Sequence, residues 1–183
     1  MMLTLRIAVI VVIQCLFLGK MIYERAQVLE HGTIITLKTN PIDPRSLFRG
    51  DYVILNYDIS ELDVSKMEGD DDFERWQEVY VAVENRGEIW AATGIYHQWP
   101  QIIGEQTIIS GKVSSRGQDT VWIEYGIDSY FVPEGAGKHI EEAIGDGVNA
   151  GRVLVQIAVS ESGKAAIKGL SLDGELLYGE TLF

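Results

Sequence analysis

The chain is 183 residues long with 46% hydrophobic and 23% charged residues, a composition that suits one packed domain and excludes a low-complexity chain. Its 15 basic and 27 acidic residues give a net charge of −12, which argues against binding to nucleic acid or to an anionic membrane surface. The single cysteine, Cys15, excludes an intramolecular disulfide, so cysteine content does not indicate the compartment.

The first feature along the chain is an apolar N-terminal segment. Thirteen uncharged residues lie between Arg6 and Lys20, and residues 3–23 would extend about 31 Å as a helix, enough to cross a bilayer. A cleaved signal peptide has an apolar core of similar length, but the residues that follow are bulky or charged and offer no small-residue cleavage site. We therefore predict an uncleaved anchor over residues 1–26, which contacts membrane lipid, and one domain over residues 27–183.

Beyond the anchor, the helix is predicted to continue over residues 24–30 and to end near Gly32, because glycine commonly terminates helices. Turn residues such as Asn85-Arg86-Gly87-Glu88 then separate short apolar or alternating segments, a pattern typical of hairpins. The predicted strands cover residues 33–39, 51–58, 79–83, 89–95, 107–113, 120–125, 130–132, 153–159, 165–170 and 176–178.

The arrangement of these segments indicates the fold class. The only helix predicted inside the domain covers residues 138–144, and residues 60–77 are predicted as an acidic loop, mobile or briefly helical. Strands and helices do not alternate as they would around a parallel sheet. We predict an all-β domain, an antiparallel barrel or sandwich of about eight to ten strands with one short helix, preceded by a transmembrane helix.

The most distinctive stretch is residues 40–57, NPIDPRSLFRGDYVILNY, where a proline-rich polar turn leads into a strand. The prolines restrict the backbone, and the alternation predicts that Val53, Leu55 and Tyr57 face the core. The charged residues of the turn are interpreted as an ion-pair network that stabilises it, with binding of a charged ligand as the alternative. The candidate residues for a structural or partner-binding role are Pro41, Asp43, Pro44, Arg45, Arg49, Gly50, Asp51, Tyr52, Leu55 and Tyr57.

The segment GDYVILNY resembles the signature of the GDYXXLXY protein family, which it matches at Gly50, Asp51, Tyr52, Leu55 and Tyr57. The resemblance continues in YFVPEGAGKHIEEA and KAAIKGLSLDG and so covers most of the chain. It implies a membrane-anchored protein whose domain lies outside the cytoplasmic membrane of bacteria. It also implies association with a multi-pass membrane protein, but it implies no catalytic activity.

An N-terminal anchor followed by a β-rich domain is also typical of proteases related to the signal peptidases. Those enzymes carry a serine three residues before a proline, but Pro41 occupies that position relative to Pro44, and Ser46 lies on the other side. Without an activated nucleophile and its base, this chemistry is not expected. We predict no catalytic residues, although a hydrolase with an unrecognised site remains the alternative.

Residues that could bind metals or partners are few. The histidines are far apart in the sequence, and the acidic run Asp70–Asp72 lacks the alternating ligands of a calcium loop, so neither a metal nor a cofactor is predicted. Tyr96, His97 and Trp99 form an aromatic loop that is predicted either to contact a partner or sugar or to pack over the end of the domain. Together these observations favour a non-enzymatic accessory or assembly subunit that binds a membrane protein or a second copy of itself.

Overall fold

The structure is a computed structural model that describes residues 2–40, 52–101, 104–131, 153–172 and 175–179. Within these residues the domain is built mostly of β-strands and is preceded by one long helix. Helix α1 covers Met2–His31, and the strands are β1 (Thr33–Lys38), β2 (Tyr52–Ile54), β3 (Glu61–Asp63), β4 (Glu68–Gly69), β5 (Glu78–Asn85), β6 (Trp90–Tyr96), β7 (Thr107–Arg116), β8 (Thr120–Glu124), β9 (Ser129–Phe131), β10 (Val153–Val159), β11 (Ala165–Leu172) and β12 (Glu175–Gly179).

Helix α1 confirms the prediction of a long apolar N-terminal helix. Its segment Arg6–His31 is long and apolar enough to cross a membrane, and its most apolar part has no buried residues. The helix ends before Gly32, whose backbone amide donates a hydrogen bond to Val28 O at 2.9 Å. A side chain at Gly32 would come within 3.0 Å of the Val159 backbone, so glycine permits the close approach of the helix end to β10.

The strands form two main sheets and a two-stranded ribbon. The first sheet has the order β1-β10-β11-β12, and the second has the order β3-β8-β7-β5-β6-β4. All neighbouring strands are antiparallel except β4 and β6, which are parallel. The ribbon pairs β2 with β9. The predicted hairpins β5–β6, β7–β8 and β10–β11 are therefore confirmed.

One hydrophobic core is shared by the two main sheets. Alternate residues of the strands point into it, as the period of two in the sequence predicts. From the first sheet, Ile35 and Leu37 in β1 are at most 1% exposed, and from the second, Val79, Val81 and Val83 in β5 are fully buried. These side chains belong to the same cluster, so burial of apolar surface holds the sheets together.

The structure differs from the sequence-based prediction between residues 51 and 77. The strand predicted for residues 51–58 is shorter: β2 ends at Ile54, and Asp58–Ser60 forms a 3-10 turn in which the Ser60 amide donates to Tyr57 O at 2.9 Å. The predicted loop over residues 60–77 contains β3, β4 and a second 3-10 turn. The helix predicted for residues 138–144 lies outside the described residues.

Candidate functional site

The candidate motif residues fall into two groups. Leu55 and Tyr57 are described with their side chains, and Tyr52 is described as part of β2. The remaining candidates lie outside the described residues; they are Pro41, Asp43, Pro44, Arg45, Arg49, Gly50 and Asp51. The predicted ion-pair network among the charged ones therefore stays a prediction.

The described end of the motif is a buried junction between two distant segments of the chain. Tyr57 is fully buried, and its hydroxyl donates a hydrogen bond to the carbonyl oxygen of Ile127 at 2.7 Å. In the opposite direction, the buried Tyr125 hydroxyl donates to the carbonyl oxygen of Ile59 at 2.7 Å. Each segment thus supplies one phenol to the backbone of the other, and we call this arrangement the tyrosine pair.

Backbone hydrogen bonds connect the motif to its neighbours on both sides. The Leu55 amide donates to Asp128 O at 2.9 Å, and the Asn40 amide donates to Asn56 O at 2.8 Å. Thr39, which forms a bridge with Tyr57, also donates its amide and its hydroxyl to Val153 O. The end of β1, the motif, the β8–β9 connection and the start of β10 therefore meet at one place.

Burial controls the protonation of the groups at this junction. It raises the pKa of the Tyr57 and Tyr125 hydroxyls well above their ordinary value, and the charge of Asp128 acts in the same direction. Burial also raises the pKa of the Asp128 carboxyl, although backbone amides such as that of Gly126, 3.0 Å from Oδ2, oppose the effect. Both phenols are thus held neutral as hydrogen-bond donors, which is a structural role.

A pocket of about 360 Å³ beside Asp128 is the place where a hydrolytic site could be sought. Its serine, Ser110, donates its hydroxyl to Gly163 O at 3.1 Å. Its lysine, Lys112, is exposed and lies directly opposite Glu78 and Glu124 on the neighbouring strands, whereas a lysine base lies desolvated. Among the described residues of this pocket, no nucleophile is paired with a base.

The aromatic loop contains one tightly held residue, His97. Its backbone amide donates to Asp70 Oδ2 at 2.8 Å, its Nδ1 atom lies 2.9 Å from Gln77 Nε2, and its ring lies 4.7 Å from that of Phe73. The buried Nε2 atom lies 3.2 Å from Asp72 Oδ1 but without the alignment of a hydrogen bond. His97 therefore fastens the loop to the acidic segment.

The acidic segment Asp70–Asp72 is also fixed to the sheet. Arg116 donates one guanidinium hydrogen bond to Phe73 O at 3.1 Å and another to Asp71 O at 3.3 Å. Within the described residues, no group of three or more histidine, cysteine, aspartate and glutamate side chains could hold a metal ion. Asp70 is used instead to hold the backbone of the aromatic loop.

Trp99 and Tyr96 are the residues of the aromatic loop whose rings are partly exposed to solvent. The Trp99 indole meets the Tyr80 ring edge-on, with 5.5 Å between ring centroids, and the Trp99 side chain remains 43% exposed. Its other neighbour is Gly163 in the β10–β11 turn, where an added Cβ would lie 3.2 Å from Trp99 Cζ3. Tyr96 is half-buried beside it. Trp99 is thus both anchored and available for contact.

The same β10–β11 turn holds the end of helix α1 through polar contacts. Lys164 Nζ lies 3.0 Å from Glu24 Oε2, and the Arg25 guanidinium donates to Ala165 O at 3.3 Å. Glu24 also lies 3.6 Å from Lys20, one helical turn earlier. These pairs are exposed, so they orient the helix more than they stabilise it.

Apolar packing supplies the firmer part of this attachment. Val28 and Leu29, at the end of α1, are 8% and 6% exposed and form a separate hydrophobic cluster with Ala158 and Ala166. The two alanines face each other across the β10–β11 pair and are fully buried. Helix and domain are thus joined by a packed contact as well as by the peptide chain.

Sequence reasoning did not identify Tyr125, Asp128 or Lys164 as important residues. Tyr125 and Asp128 lie at the two ends of the connection between β8 and β9, and neither position shows a local pattern that would reveal its bond to a distant residue, Ile59 or Leu55. Lys164 lies in a recognisable turn, but its bond to Glu24 spans 140 positions. Its role could have been predicted only from knowing where α1 packs on the domain.

A family model described as "GDYXXLXY protein" matches residues 14–170, which include the tyrosine pair and helix α1 from Gln14 onward. Comparison with curated proteins and with solved structures finds no match. Because the match covers most of the chain, the chain belongs to the GDYXXLXY protein family.

Proposed function

We propose that this protein is a non-enzymatic accessory or assembly subunit of the bacterial cytoplasmic membrane. Helix α1 crosses the membrane once, the β-domain lies outside, and the partner is a membrane protein or a second copy of this chain. The two sheets and their shared core suit an antiparallel barrel or sandwich. The observation that carries the proposal is the exposed apolar helix that continues without a break into turns packed on the domain.

The manner of attachment supports a role in assembly. An enzyme that merely needs to be kept near a membrane is served by a flexible linker between anchor and domain. Here Val28 and Leu29 pack on the β10–β11 hairpin immediately after the apolar segment. A domain held in this way has a defined orientation relative to its helix, which is useful when both must fit one partner.

Gln14 supports association inside the membrane. It interrupts the apolar segment, and its side chain is exposed on α1. An amide in hydrocarbon lacks water as a hydrogen-bond partner, and glutamine side chains commonly bond across helix pairs instead. The position of Gln14 near the middle of the segment therefore favours a second helix beside α1.

The association can be tested by replacing Gln14 with leucine. The parent protein, purified in mild detergent, should be recovered with a membrane-protein partner or as an oligomer. A lost interhelical hydrogen bond of about 0.6–2 kcal/mol should lower the association constant of Gln14→Leu about three- to thirty-fold. Val12→Leu is the matched control, because residue 12 lies on the opposite face of the helix. A parent protein that stays a monodisperse monomer in several detergents would contradict the proposal.

The side of the membrane is proposed from membership of the family. The N-terminus and Arg6 on one side of the apolar segment balance Lys20 and Arg25 on the other, so flanking charge does not decide the orientation. A reporter that is active only after export, fused after Phe183, should therefore be active. Activity of a reporter that works only in the cytosol would reverse the assignment.

A further inference from the structure

Three successive turns at the end of α1 contact the β10–β11 hairpin. Gly32 lies against Val159, and one turn earlier Val28 and Leu29 pack on the alanine pair next to that position. A further turn back, Glu24 meets Lys164. Of these contacts, the one nearest to the apolar segment is made by Lys164, in the hairpin turn of residues 160–164.

The contact between Glu24 and Lys164 places the hairpin turn close to the apolar segment. Ile22 and Tyr23 are the last apolar residues of the segment and are 70% and 64% exposed. Glu24, the next residue, already contacts Lys164 at 3.0 Å. Since successive helical residues rise by about 1.5 Å, the hairpin turn starts at nearly the level where the apolar surface ends.

Trp99 lies against this turn. A Cβ added at Gly163, which adjoins Lys164, would lie 3.2 Å from the indole, so the ring lies beside this glycine. The Gly163 carbonyl in turn accepts hydrogen bonds from the Ser110 amide and hydroxyl at 2.9 and 3.1 Å. The turn and the aromatic loop are therefore fixed to the same part of the domain. Trp99, which is 43% exposed, therefore lies beside the turn that is close to the apolar segment.

We propose that Trp99 and the hairpin turn of residues 160–164 form a membrane-contacting edge, with the indole in the headgroup region of the bilayer that α1 crosses. Tryptophan favours this region because its ring is apolar and its N–H can still bond to water or to lipid. The turn carries the exposed acidic residue Glu161, which keeps the contact at the headgroup level and does not favour anionic lipid. The inference rests on the membrane anchoring proposed above and adds a second lipid contact, which would fix the tilt of the domain.

Quenching of tryptophan fluorescence tests the inference on the full chain. The protein is placed in phosphatidylcholine vesicles with and without bromine atoms near the headgroup end of the acyl chains. The chain has four tryptophans and α1 contains none of them. We expect a quenched component in the parent that is lost in Trp99→Phe and kept in Trp76→Phe. Trp76 is the matched control because it is 62% exposed and lies outside the aromatic loop, where its ring stacks under the Arg75 guanidinium.

Each outcome decides one claim. Quenching that is absent in the parent, or unchanged in Trp99→Phe, overturns the membrane-contacting edge. Flotation of the same protein with vesicles would still support anchoring by α1. A protein that does not float with vesicles overturns both the anchoring and the membrane-contacting edge. If Trp99→Phe does not fold, Gln98→Cys in a Cys15→Ser background carries a nitroxide label next to the intact indole. That label must lie closer to the bilayer than labels in the other hairpin turns at Glu88→Cys and Gln118→Cys, and equal depths overturn the edge.

Discussion

Removing the hydroxyl groups of the tyrosine pair is the most direct test of how the motif acts. In Tyr57→Phe the packing of the ring is kept, but the carbonyl of Ile127 loses its donor at 2.7 Å. A buried hydrogen-bond acceptor without a partner lowers the free energy of unfolding by about 1–3 kcal/mol. Tyr125→Phe leaves the Ile59 carbonyl unpaired in the same way, so a similar loss is expected. For a domain of this size, about 1 kcal/mol lowers the melting temperature by about 2–4 °C.

The assay is thermal unfolding of the full chain in mild detergent, followed by near-ultraviolet circular dichroism. Each single variant should melt about 2–12 °C below the parent. The double variant shows whether the two bonds act together, because both connect the same two segments and their losses should therefore not add. Tyr80→Phe, which changes a half-buried tyrosine outside the pair, is the control. If Tyr57→Phe and Tyr125→Phe melt at the same temperature as Tyr80→Phe and the parent, the tyrosine pair does not hold the segments together.

Four further predictions concern the same parts of the chain. Leu55→Ala, at a position that is 4% exposed, should cost about 2–5 kcal/mol in the free energy of unfolding, measured by denaturant titration, and a loss below 1 kcal/mol would contradict its place in the core. The pKa values of Tyr57 and Tyr125 are raised in the folded state, so their contribution to stability is present below the unfolded value of about 10 and is lost as the pH rises above it. The melting temperature of the parent should therefore fall above about pH 10, and that of the double phenylalanine variant should fall less. The raised pKa of Asp128 favours the fold only below the unfolded value of about 3.9, and this stability is lost as pH rises through the folded value. Asp128→Asn should therefore melt above the parent at pH 7 but not at pH 3. Gly32→Ala should lower the melting temperature because the new Cβ would lie 3.0 Å from the Val159 backbone, whereas an alanine at Gly19, with open space around it, should not.

The features that the sequence predicts well are those with a local signal. The β5–β6 hairpin was predictable because valines at alternate positions of β5 face the core and a polar turn containing Gly87, which has a positive φ of 103°, reverses the chain. The end of α1 was predictable because Gly32 follows the last apolar turn. Both features depend on residues only a few positions apart, and such a short-range pattern can be recognised in a single sequence.

The features that the sequence did not reveal depend on distant residues. The predicted strand over residues 51–58 ends early, at Ile54, and a 3-10 turn follows at Asp58–Ser60. Between them, the Tyr57 hydroxyl bonds to Ile127, 70 positions away, and the Tyr57 amide donates to the Ser60 hydroxyl. These contacts override the strand propensity of residues 55–58, as tertiary context commonly overrides local preference. The docking of Glu24 on Lys164 likewise depends on residues 140 positions apart.

The burial of the motif separates two ways in which a variant can lose a partner. Leu55 and Tyr57 are enclosed by the chain itself, with 4% and 0% exposure, so neither side chain can contact a partner in the folded protein. Their replacement should lower partner recovery only as far as it lowers the folded fraction. Gln14 is exposed on α1, and its replacement should lower partner recovery while leaving the melting temperature unchanged. Measuring both quantities on the same preparations distinguishes the folding role of the motif from a binding role, since a Tyr57 variant that melts like the parent but loses its partner would contradict the enclosure seen here.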